Sequence, residues 1–290
     1  KDSKNLDTEI IPILGDIRDR NNLEHVFQKY SVDHVYHAAA YKHVPIVENE
    51  NNISKAAENN ILGTYNLAKS AVKHGVHSFV MISTDKAVRP TNIMGATKRF
   101  AEIIIQSINS ESSNTKFSMV RFGNVINSSG SVIPLFIDQI SRGGPITVTH
   151  KDVMRYFMTI PEASNLVLQA GEMSSGGEVF ILDMGEQVKI FDLARKLIHL
   201  SGRNHADGDE VDGIEIVEVG LRPGEKMYEE LLISGSELKT ENPKIYKATE
   251  SFIEPKILKP LLAELKESIV SFDNKKILTL LSQHVEGFNR

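Results

Sequence analysis

The sequence predicts an α/β fold built on a parallel sheet, and three observations support this prediction. Short apolar segments with the composition of buried strands alternate with longer segments of helical periodicity, the pattern of strand-helix-strand crossovers. Each strand-like segment ends in small or polar residues, at the edge where open α/β sheets bind ligands. The chain has 290 residues and 41% hydrophobic content, which is enough for one large domain or two interleaved lobes.

The first half of the chain supplies four strand-like segments and two sheet-covering helices. The predicted strands are residues 10–14, 33–36, 78–83 and 117–120. Between them, apolar residues recur at helical spacing over 61–72, before Gly75, and over 100–108. We expect both helices to pack on the sheet.

The second half begins with loops rich in Gly and Ser after Arg121, which predict a second lobe. Thr159 and Glu162 form a capping box that predicts a helix to Gly171, and further strands are expected at 179–182 and 214–219. A helix is expected to end at Gly202, and the last fifty residues are expected to be helical and amphipathic. The predicted organisation is a partial dinucleotide-binding domain (1–125, rejoined by about 156–185), a substrate-binding lobe (126–155 and 186–240) and a helical C-terminal tail (241–290).

One expected feature is missing from the sequence. A nucleotide-binding sheet of this kind begins with a strand and a Gly-rich turn that meets the pyrophosphate at a helix N-terminus. No such turn precedes Ile10, and only nine residues are available there. We therefore expect the chain to start inside a domain, without the first strand and its turn.

Composition excludes several classes of function. The absence of cysteine rules out disulfides and thiolate chemistry, and a net charge of -5 with scattered cations argues against nucleic acid as a partner. No apolar run approaches the ~20 residues needed to span a bilayer. The acidic segment 207–218 has calcium-loop spacing, but Val211 replaces a ligand and Asp212 replaces the required glycine. We predict no metal site and a small-molecule partner.

The residues after the strand at 78–83 have the composition of a proton-transfer site. Thr84, Asp85 and Lys86 place a hydroxyl, an acid and an amine at a strand's end, and Met94 and Lys98 share one face of the following helix. Removing water from a carbon next to a ketone requires a base and an acid, which Lys86 and Asp85 would supply. The alternatives are a solvated Asp-Lys turn and a methionine that only fills the core.

Four motifs carry a resemblance to a known family. The chain resembles the NAD(P)-dependent UDP-N-acetylglucosamine 4,6-dehydratases, in the CapD-like polysaccharide-biosynthesis branch of the extended short-chain dehydrogenase/reductase family. The resemblance covers most of the chain and implies a Rossmann-like, doubly wound parallel sheet with a smaller C-terminal substrate lobe. The motifs are residues 83–87 (STDKA), 94–98 (MGATK), 121–125 (RFGNV) and 220–226 (GLRPGEK).

The resemblance implies an internal redox cycle with NAD or NADP. A hydride leaves the sugar at C4, Lys86 takes the proton at C5, Asp85 protonates the hydroxyl that leaves C6, and the hydride returns to C6. Relatives with a tyrosine at the position of Met94 use it, with the lysine that matches Lys98, to accept the proton of the C4 hydroxyl. Met94 has no ionisable group, so that proton acceptor is open, and our hypothesis is Thr84 with a water, or Asp85.

The resemblance also implies two sets of binding residues. Small residues at the end of the strand 33–36 let a dinucleotide approach the backbone, although the same residues also suit tight helix-sheet packing. Arginines suit a diphosphate through bidentate bonds, and the alternative is that they are surface residues. The expected cofactor contacts are Asp16, Ile17, Ala38, Ala39, Ala40, Asn60 and Lys98. The expected substrate contacts are Lys42, Asn124, Arg155, Arg222 and Glu225.

The predicted function is a UDP-N-acetylglucosamine 4,6-dehydratase for bacterial surface polysaccharide or glycan synthesis. A 4-epimerase of the same family is the first alternative, but it does not need Asp85 and Lys86 and usually has the tyrosine that Met94 replaces. A cofactor-free binding piece, or an inactive fragment, is the second. We expect a homo-oligomer in the cytoplasm, with a parent protein anchored at the inner face of the cell membrane.

Overall fold

The computed structural model describes residues 8–112, 114–206, 213–230 and 237–290. Its strands are β1 (His34–His37), β2 (Ser78–Ile82), β3 (Lys116–Arg121), β4 (Asn124–Val125), β5 (Ile146–Val148), β6 (Met154–Arg155), β7 (Phe157–Met158), β8 (Val179–Leu182), β9 (Val188–Lys189), β10 (Ile216–Glu218), β11 (Leu238–Lys239) and β12 (Ile245–Ala248). Its helices are α1 (Arg20–Lys29), α2 (Val44–Val47), α3 (Ile53–Ala57), α4 (Thr64–Lys73), α5 (Ile93–Glu111), α6 (Val132–Ser141), α7 (Ile160–Glu172), α8 (Ile190–Leu200), α9 (Pro255–Val270) and α10 (Asn274–His284). Short 3-10 turns at Glu50–Asn52 and Asp85–Ala87 and a π-helical segment at Glu58–Gly63 complete the described elements.

Among the described residues, the central sheet has six strands in the order β1-β2-β3-β8-β12-β11. The first four strands run parallel, and β12 and β11 pair antiparallel to their neighbours. Phe79 and Met81 of β2 belong to the core on one face of the sheet, and Val80 belongs to the core on the other, as the period of two residues in a strand requires. The predicted α/β class with a parallel sheet is confirmed.

Helices cover both faces of this sheet. One hydrophobic core joins residues of α3, α4, α5, α9 and α10 to the sheet, and a second core packs α7 against the other face. A third core lies outside the sheet, where Phe136 of α6 and Ala194 of α8 pack around β5. Burial on both faces explains why β2, β3 and β8 have the composition of short, mostly apolar strands.

The predicted strand at 10–14 is wrong. Residues 8–16 form no strand, and Leu14 is fully exposed, with Ile10 77% exposed. A strand requires a hydrogen-bonded neighbour, and among the described residues β1 pairs with β2 alone. An apolar, β-rich composition therefore was not enough to predict a strand here.

Other elements agree more closely with the predictions made from the sequence. The Thr159 side chain accepts a hydrogen bond from the Glu162 backbone at 3.3 Å and caps α7, and β8 occupies 179–182 as predicted. The last fifty residues are not entirely helical, since β12 joins the sheet beside β8. The domain boundaries stay a prediction, and the calcium-like positions 207–212 lie outside the described residues.

Across the described ranges, the helices are all too short or too polar to cross a lipid bilayer.

Candidate active site

A cavity of about 420 Å³ opens at the carboxyl ends of β1, β2 and β3 and is lined on its other side by residues of β4, β6 and the segment 222–229. This is the edge at which parallel α/β sheets bind ligands. Most of the predicted site residues meet there, although they come from widely separated parts of the chain. Those that line the cavity are Ala38, Ala40, Lys42, Thr84, Lys86, Met94, Lys98, Asn124, Arg155, Arg222 and Glu225.

The Lys86 side chain is fixed by polar partners on both sides of the cavity. Its Nζ lies 3.0 Å from Oδ1 of Asp85 and donates to Oδ1 of Asn124 at 3.4 Å. Thr84 caps the 3-10 turn that presents these residues, because its Oγ1 accepts from the Lys86 backbone. The same Oγ1 donates to Asp85 Oδ1 at 2.8 Å. The hydroxyl, acid and amine predicted as neighbours in sequence therefore also share one hydrogen-bonded group.

Asp85 differs from the rest of this group because it is fully buried and does not line the cavity. Its Oδ1 accepts from both Thr84 and Lys86, while its Oδ2 has no hydrogen-bond partner in the described structure. That free oxygen lies close to Gly123, where an added Cβ would stand 3.3 Å away. The acid role expected for Asp85 stays a prediction, and any proton it delivers would have to pass a buried position.

Helix α5 carries Met94 and Lys98 into the cavity wall. Asn92 caps the helix, since its side chain accepts from the Gly95 backbone at 2.8 Å. Met94 is 4% exposed and belongs to the hydrophobic core as well as to the cavity. Lys98 Nζ donates to the backbone carbonyl of Ile82 at 2.6 Å. Burial lowers the pKa of Lys98 to about 8, because a buried ammonium lacks the solvation that stabilises its charge.

A buried charge network lies behind the site. Glu102 of α5 accepts from Ser83 at 2.5 Å and from Arg121 of β3 at 2.8 and 2.5 Å. Glu250, just after β12, pairs with both Arg121 and Arg99. Burial would raise the pKa of Glu102, but the Arg121 and Arg99 charges hold it at about 2. Through Ser83, this network fixes the strand end that presents the Thr84, Asp85 and Lys86 side chains.

The predicted cofactor contacts divide into two groups. Ala38 and Ala40 line the cavity, whereas Asp16 lies outside it and holds Arg18 through both carboxylate oxygens. That pairing keeps the pKa of the Asp16 carboxyl below its usual range. Ile17 packs against Gly63, and Ala39 is exposed but outside the cavity.

Asn60 contributes to the cavity without lining it. It belongs to the π-helical segment, a local geometry that is often found at functional sites. Its amide accepts from the Tyr41 backbone at 2.8 Å and donates to the Tyr41 carbonyl and to Thr97 at 3.1 and 3.0 Å. Asn60 therefore positions the loop that contains Ala38 and Ala40 relative to helix α5.

The strand end and α5 fit the nicotinamide half of a dinucleotide. Ala38 and Ala40 leave the backbone accessible because their side chains end at Cβ, and Lys98 faces the same cavity from α5. The described residues contain no Gly-rich turn between a strand and a helix that would hold the pyrophosphate. The residues present therefore fit the reactive end of the cofactor.

Three of the predicted substrate contacts, Arg155, Arg222 and Glu225, lie together on one wall of the cavity. Arg155 of β6 donates to Glu225 Oε1 at 3.1 Å, and Thr149 donates to the same oxygen at 3.0 Å. Arg222 is exposed at the cavity rim, with its backbone N–H donating to Glu225 Oε2. Lys42 is exposed across the cavity from this group. Lys42, Arg155 and Arg222 thus join Lys86 and Lys98 around one cavity, which suits a ligand with a diphosphate.

A tight contact fixes the loop that carries Arg222 and Glu225. Gly224 has φ +75°, and an added Cβ would stand 2.8 Å from both Thr91 O and Asn92 Cβ. The Gly224 carbonyl accepts from Thr91 Oγ1 at 2.8 Å, and Lys226 Nζ donates to the Val88 carbonyl. The motif 220–226 is therefore packed onto the entry to helix α5, which couples the two walls.

Sequence reasoning missed several residues of the cavity. Glu229 is 5% exposed and lies beside Lys86, and His43 faces Gly130 from the loop after β1. Glu229 has no local signal, since nothing in a Glu-Glu pair after the motif 220–226 distinguishes the buried residue from its exposed neighbour. No cluster of three or more metal-ligating side chains occurs within the part of the chain that the structure describes.

Comparison with known proteins places these features in a family. The polysaccharide biosynthesis protein family matches residues 1–250. The capsular polysaccharide biosynthesis protein CapD of Staphylococcus aureus is 58% identical over 224 residues, which are 77% of this chain and 36% of CapD. This chain therefore spans about a third of the length of that relative.

Two enzyme types occur among the other relatives. The inverting UDP-N-acetylglucosamine 4,6-dehydratase of Campylobacter jejuni is 34% identical, covering 76% of this chain and 62% of the enzyme. The UDP-glucose 4-epimerase of Rickettsia canadensis is 36% identical, covering 79% of this chain and 64% of the enzyme. The relatives thus include nucleotide-sugar dehydratases and epimerases.

Solved structures agree on the fold. Pen from Bacillus thuringiensis superposes with a TM-score of 0.73 at 35% identity, covering 88% of this chain and 81% of Pen. The dTDP-glucose 4,6-dehydratase DesIV of Streptomyces venezuelae, solved with NAD bound, gives a TM-score of 0.63 at 22% identity over 75% of this chain and 69% of DesIV. The predicted Rossmann-like fold is confirmed by these neighbours.

Proposed function

The chain belongs to the polysaccharide biosynthesis protein family, and we propose that it acts as a UDP-N-acetylglucosamine 4,6-dehydratase in the synthesis of a surface polysaccharide or glycan. The observation that carries this proposal is the 3.0 Å hydrogen bond from Lys86, which lines the cavity, to the buried Asp85 behind it. Eliminating water next to a ketone requires an acid and a base held together in this way. The dehydratase of Campylobacter jejuni supports the choice of reaction and substrate.

The proposal assigns roles to the diphosphate-binding, proton-transfer and cofactor-binding residues of the site. Arg155 and Arg222 bind the diphosphate of the sugar nucleotide, and Lys86 and Asp85 handle the protons at C5 and C6. NAD, held at Ala38, Ala40 and Lys98, supplies reversible hydride exchange with the sugar when it is bound. The cavity wall supplied by Met94 is apolar and limits the access of water to that end. Thr84, through its contact with Asp85, is the proposed link to the C4 hydroxyl proton.

The second candidate is a 4-epimerase, which is favoured by the Rickettsia relative at 36% identity. An epimerase inverts the configuration at C4 and keeps the C6 hydroxyl. Its reaction therefore does not require a base for the C5 proton or an acid for a hydroxyl leaving C6. The Asp85 and Lys86 pair therefore favours the dehydratase.

Product analysis tests the proposal. The protein is incubated with NAD and UDP-N-acetylglucosamine in deuterated water, and the product is examined by mass spectrometry and NMR. A dehydratase gives a product that has lost water and carries deuterium at C5, whereas an epimerase gives an isomer of unchanged mass without deuterium at C5. A titration of the same protein with NAD tests the third possibility, a cofactor-free binding protein. An absence of NAD binding would overturn the proposal for this chain.

A further inference from the structure

Glu229 is a buried carboxylate at the cavity to which neither the sequence motifs nor the predicted mechanism gives a role. Its side chain is 4% exposed, and the residue lines the cavity next to Lys86. A buried carboxylate is costly unless charges or hydrogen bonds compensate it. Its surroundings therefore indicate what it does.

The nearest charges to Glu229 are two cations of the site. Its Oε1 lies 3.6 Å from Lys86 Nζ and 3.9 Å from Arg155 Nε. Its Oε2 has no hydrogen-bond partner among the residues that the structure describes. The fold therefore uses little of this carboxylate's hydrogen-bonding capacity, and its charge is directed at Lys86 and Arg155.

The backbone holds Glu229 in this place from both sides. The Met227 carbonyl accepts from the Met154 backbone at 3.1 Å, and the Glu229 carbonyl accepts from Gln187 at 3.2 Å. These bonds attach the segment to β6 and to the turn before β9. Because the segment is anchored on both sides, the position of the carboxylate next to Lys86 follows from the fold and does not depend on a mobile surface side chain.

Within the described part of the chain, charged groups from several elements lie around Lys86. Asp85 lies on its own turn, Glu229 and Arg155 come from the opposite lobe, and Glu225 pairs with Arg155 on its far side. Burial would lower the pKa of Lys86, but the Asp85 and Glu229 carboxylates outweigh burial and the Arg155 charge, so the pKa is raised. An opposite charge within this distance stabilises the protonated form of an amine.

We propose that Glu229 is a positioning residue that, together with Asp85, holds the Lys86 side chain in the cavity as an ammonium ion. The catalytic consequence of this arrangement rests on the proposed dehydratase function. An ammonium at Lys86 can donate a proton but cannot accept one. In the proposed mechanism this proton first passes to Asp85 across their 3.0 Å contact, which leaves Lys86 as the amine that takes the C5 proton and Asp85 as the acid that donates a proton at C6. Glu229 thus helps to keep Lys86 protonated before the reaction begins, and it does so from the wall of the cavity that faces the strand ends.

The test measures the protonation of Lys86 itself. Trace acetylation at a series of pH values, followed by peptide mass spectrometry, gives the pH at which Lys86 becomes reactive, with the exposed Lys266 as an internal reference. In the unmodified protein, the Lys86 midpoint should lie above that of Lys266. In Glu229→Gln it should move to lower pH, because one of the two stabilising carboxylates has lost its charge.

Glu230→Gln is the matched control. Glu230 is the next residue, loses the same charge, and is 43% exposed in pairs with Arg89 and Lys226. Its substitution should leave the Lys86 curve unchanged, and a shift of equal size in both variants would overturn the proposal. Coincident Lys86 curves for the unmodified protein and folded Glu229→Gln would also overturn it.

The labelling result does not depend on turnover. A shifted Lys86 midpoint in a protein that forms no dehydrated product would contradict the proposed function and support the role of Glu229. If Glu229→Gln does not fold, the unmodified protein decides the question, because a Lys86 midpoint at or below that of Lys266 overturns the proposal.

Discussion

The backbone of Lys86 lies directly against Gly95 at the start of helix α5. A Cβ at position 95 would stand 2.1 Å from the Lys86 carbonyl oxygen. Only glycine allows the helix to approach this closely, so one contact fixes the distance between the turn with Asp85 and Lys86 and the helix with Met94 and Lys98.

Replacement of Gly95 by alanine should separate these two elements. The clash is with a backbone atom and therefore requires a backbone shift, which costs about 1–3 kcal/mol of stability. We expect turnover to fall by about tenfold or more, because small displacements of reacting groups cost that much or more. The measurements are kcat with UDP-N-acetylglucosamine and thermal unfolding. Normal turnover in a folded Gly95→Ala protein would show that the spacing is not critical.

The extent to which the sequence predicted this site depends on how local each signal was. Thr84, Asp85 and Lys86 are consecutive residues at a strand's end, and Met94 and Lys98 share a helix face, so chain geometry alone brought them together. Glu229 reaches Lys86 through the packing of the motif 220–226 onto the loop before α5, and no short-range pattern encodes that contact. Whether an apolar segment formed a strand likewise depended on the presence of a neighbouring strand to pair with.

The strands that were misjudged show the same limit. Residues 10–14 have strand composition but no neighbour in the described sheet, whereas β12 has only four residues and gains its place by pairing with β8. Strand propensity depends on burial and on neighbouring strands, which are properties of the fold. Helices such as α5 and α7 were better predicted because capping residues and apolar spacing act within one segment.

Substitution of Met94 should separate packing from chemistry. Met94→Leu keeps the volume and should cost less than about 1.5 kcal/mol, with kcat within a few-fold of the original. Met94→Tyr adds a ring and a hydroxyl at a site that is 4% exposed, and we expect a loss of stability and of turnover. A large loss of kcat in folded Met94→Leu would indicate that the sulfur takes part in the reaction.

Lys98 should make stability depend on pH above neutrality. Its pKa falls from 10.5 to about 8 on folding, so between these values the unfolded chain binds more protons and stability rises with pH. Below pH 8 the buried Lys98 ammonium lowers the free energy of unfolding by up to about 3 kcal/mol. Lys98→Met should therefore stabilise the protein most at pH 7 and progressively less toward pH 10.5. Denaturant unfolding at several pH values measures this difference, and a constant difference would contradict the assignment.

The network around Glu102 should dominate acid stability. Its pKa is held at about 2, below the ordinary 4.5, so its contribution is present above pH 4.5 and is lost as the pH falls toward 2. Glu102→Gln leaves Arg121 and Arg99 with one carboxylate fewer and should cost about 3–5 kcal/mol at pH 7. Asp138→Asn, which breaks an exposed pair with Arg142, should cost less than about 1 kcal/mol. An equal loss of stability in the two variants would show that the buried position of Glu102 does not make its ion pairs more important than an exposed pair.

Asp85→Asn distinguishes the two ways in which Asp85 can act. The substitution keeps the shape but removes the charge that Lys86 contacts at 3.0 Å, and turnover should fall by about 10²-fold or more. If Asp85 acts mainly by holding Lys86, the pH of Lys86 acetylation should shift downward in Asp85→Asn as it does in Glu229→Gln. If Asp85 instead delivers the proton to the leaving hydroxyl, the C5 position should still exchange with deuterated water while loss of water stops. Asp85 is buried away from the cavity surface, but the proposed function assigns it the proton delivered at C6, so we expect the second outcome, in which C5 exchange continues and loss of water stops. Near-normal turnover of Asp85→Asn would exclude both roles.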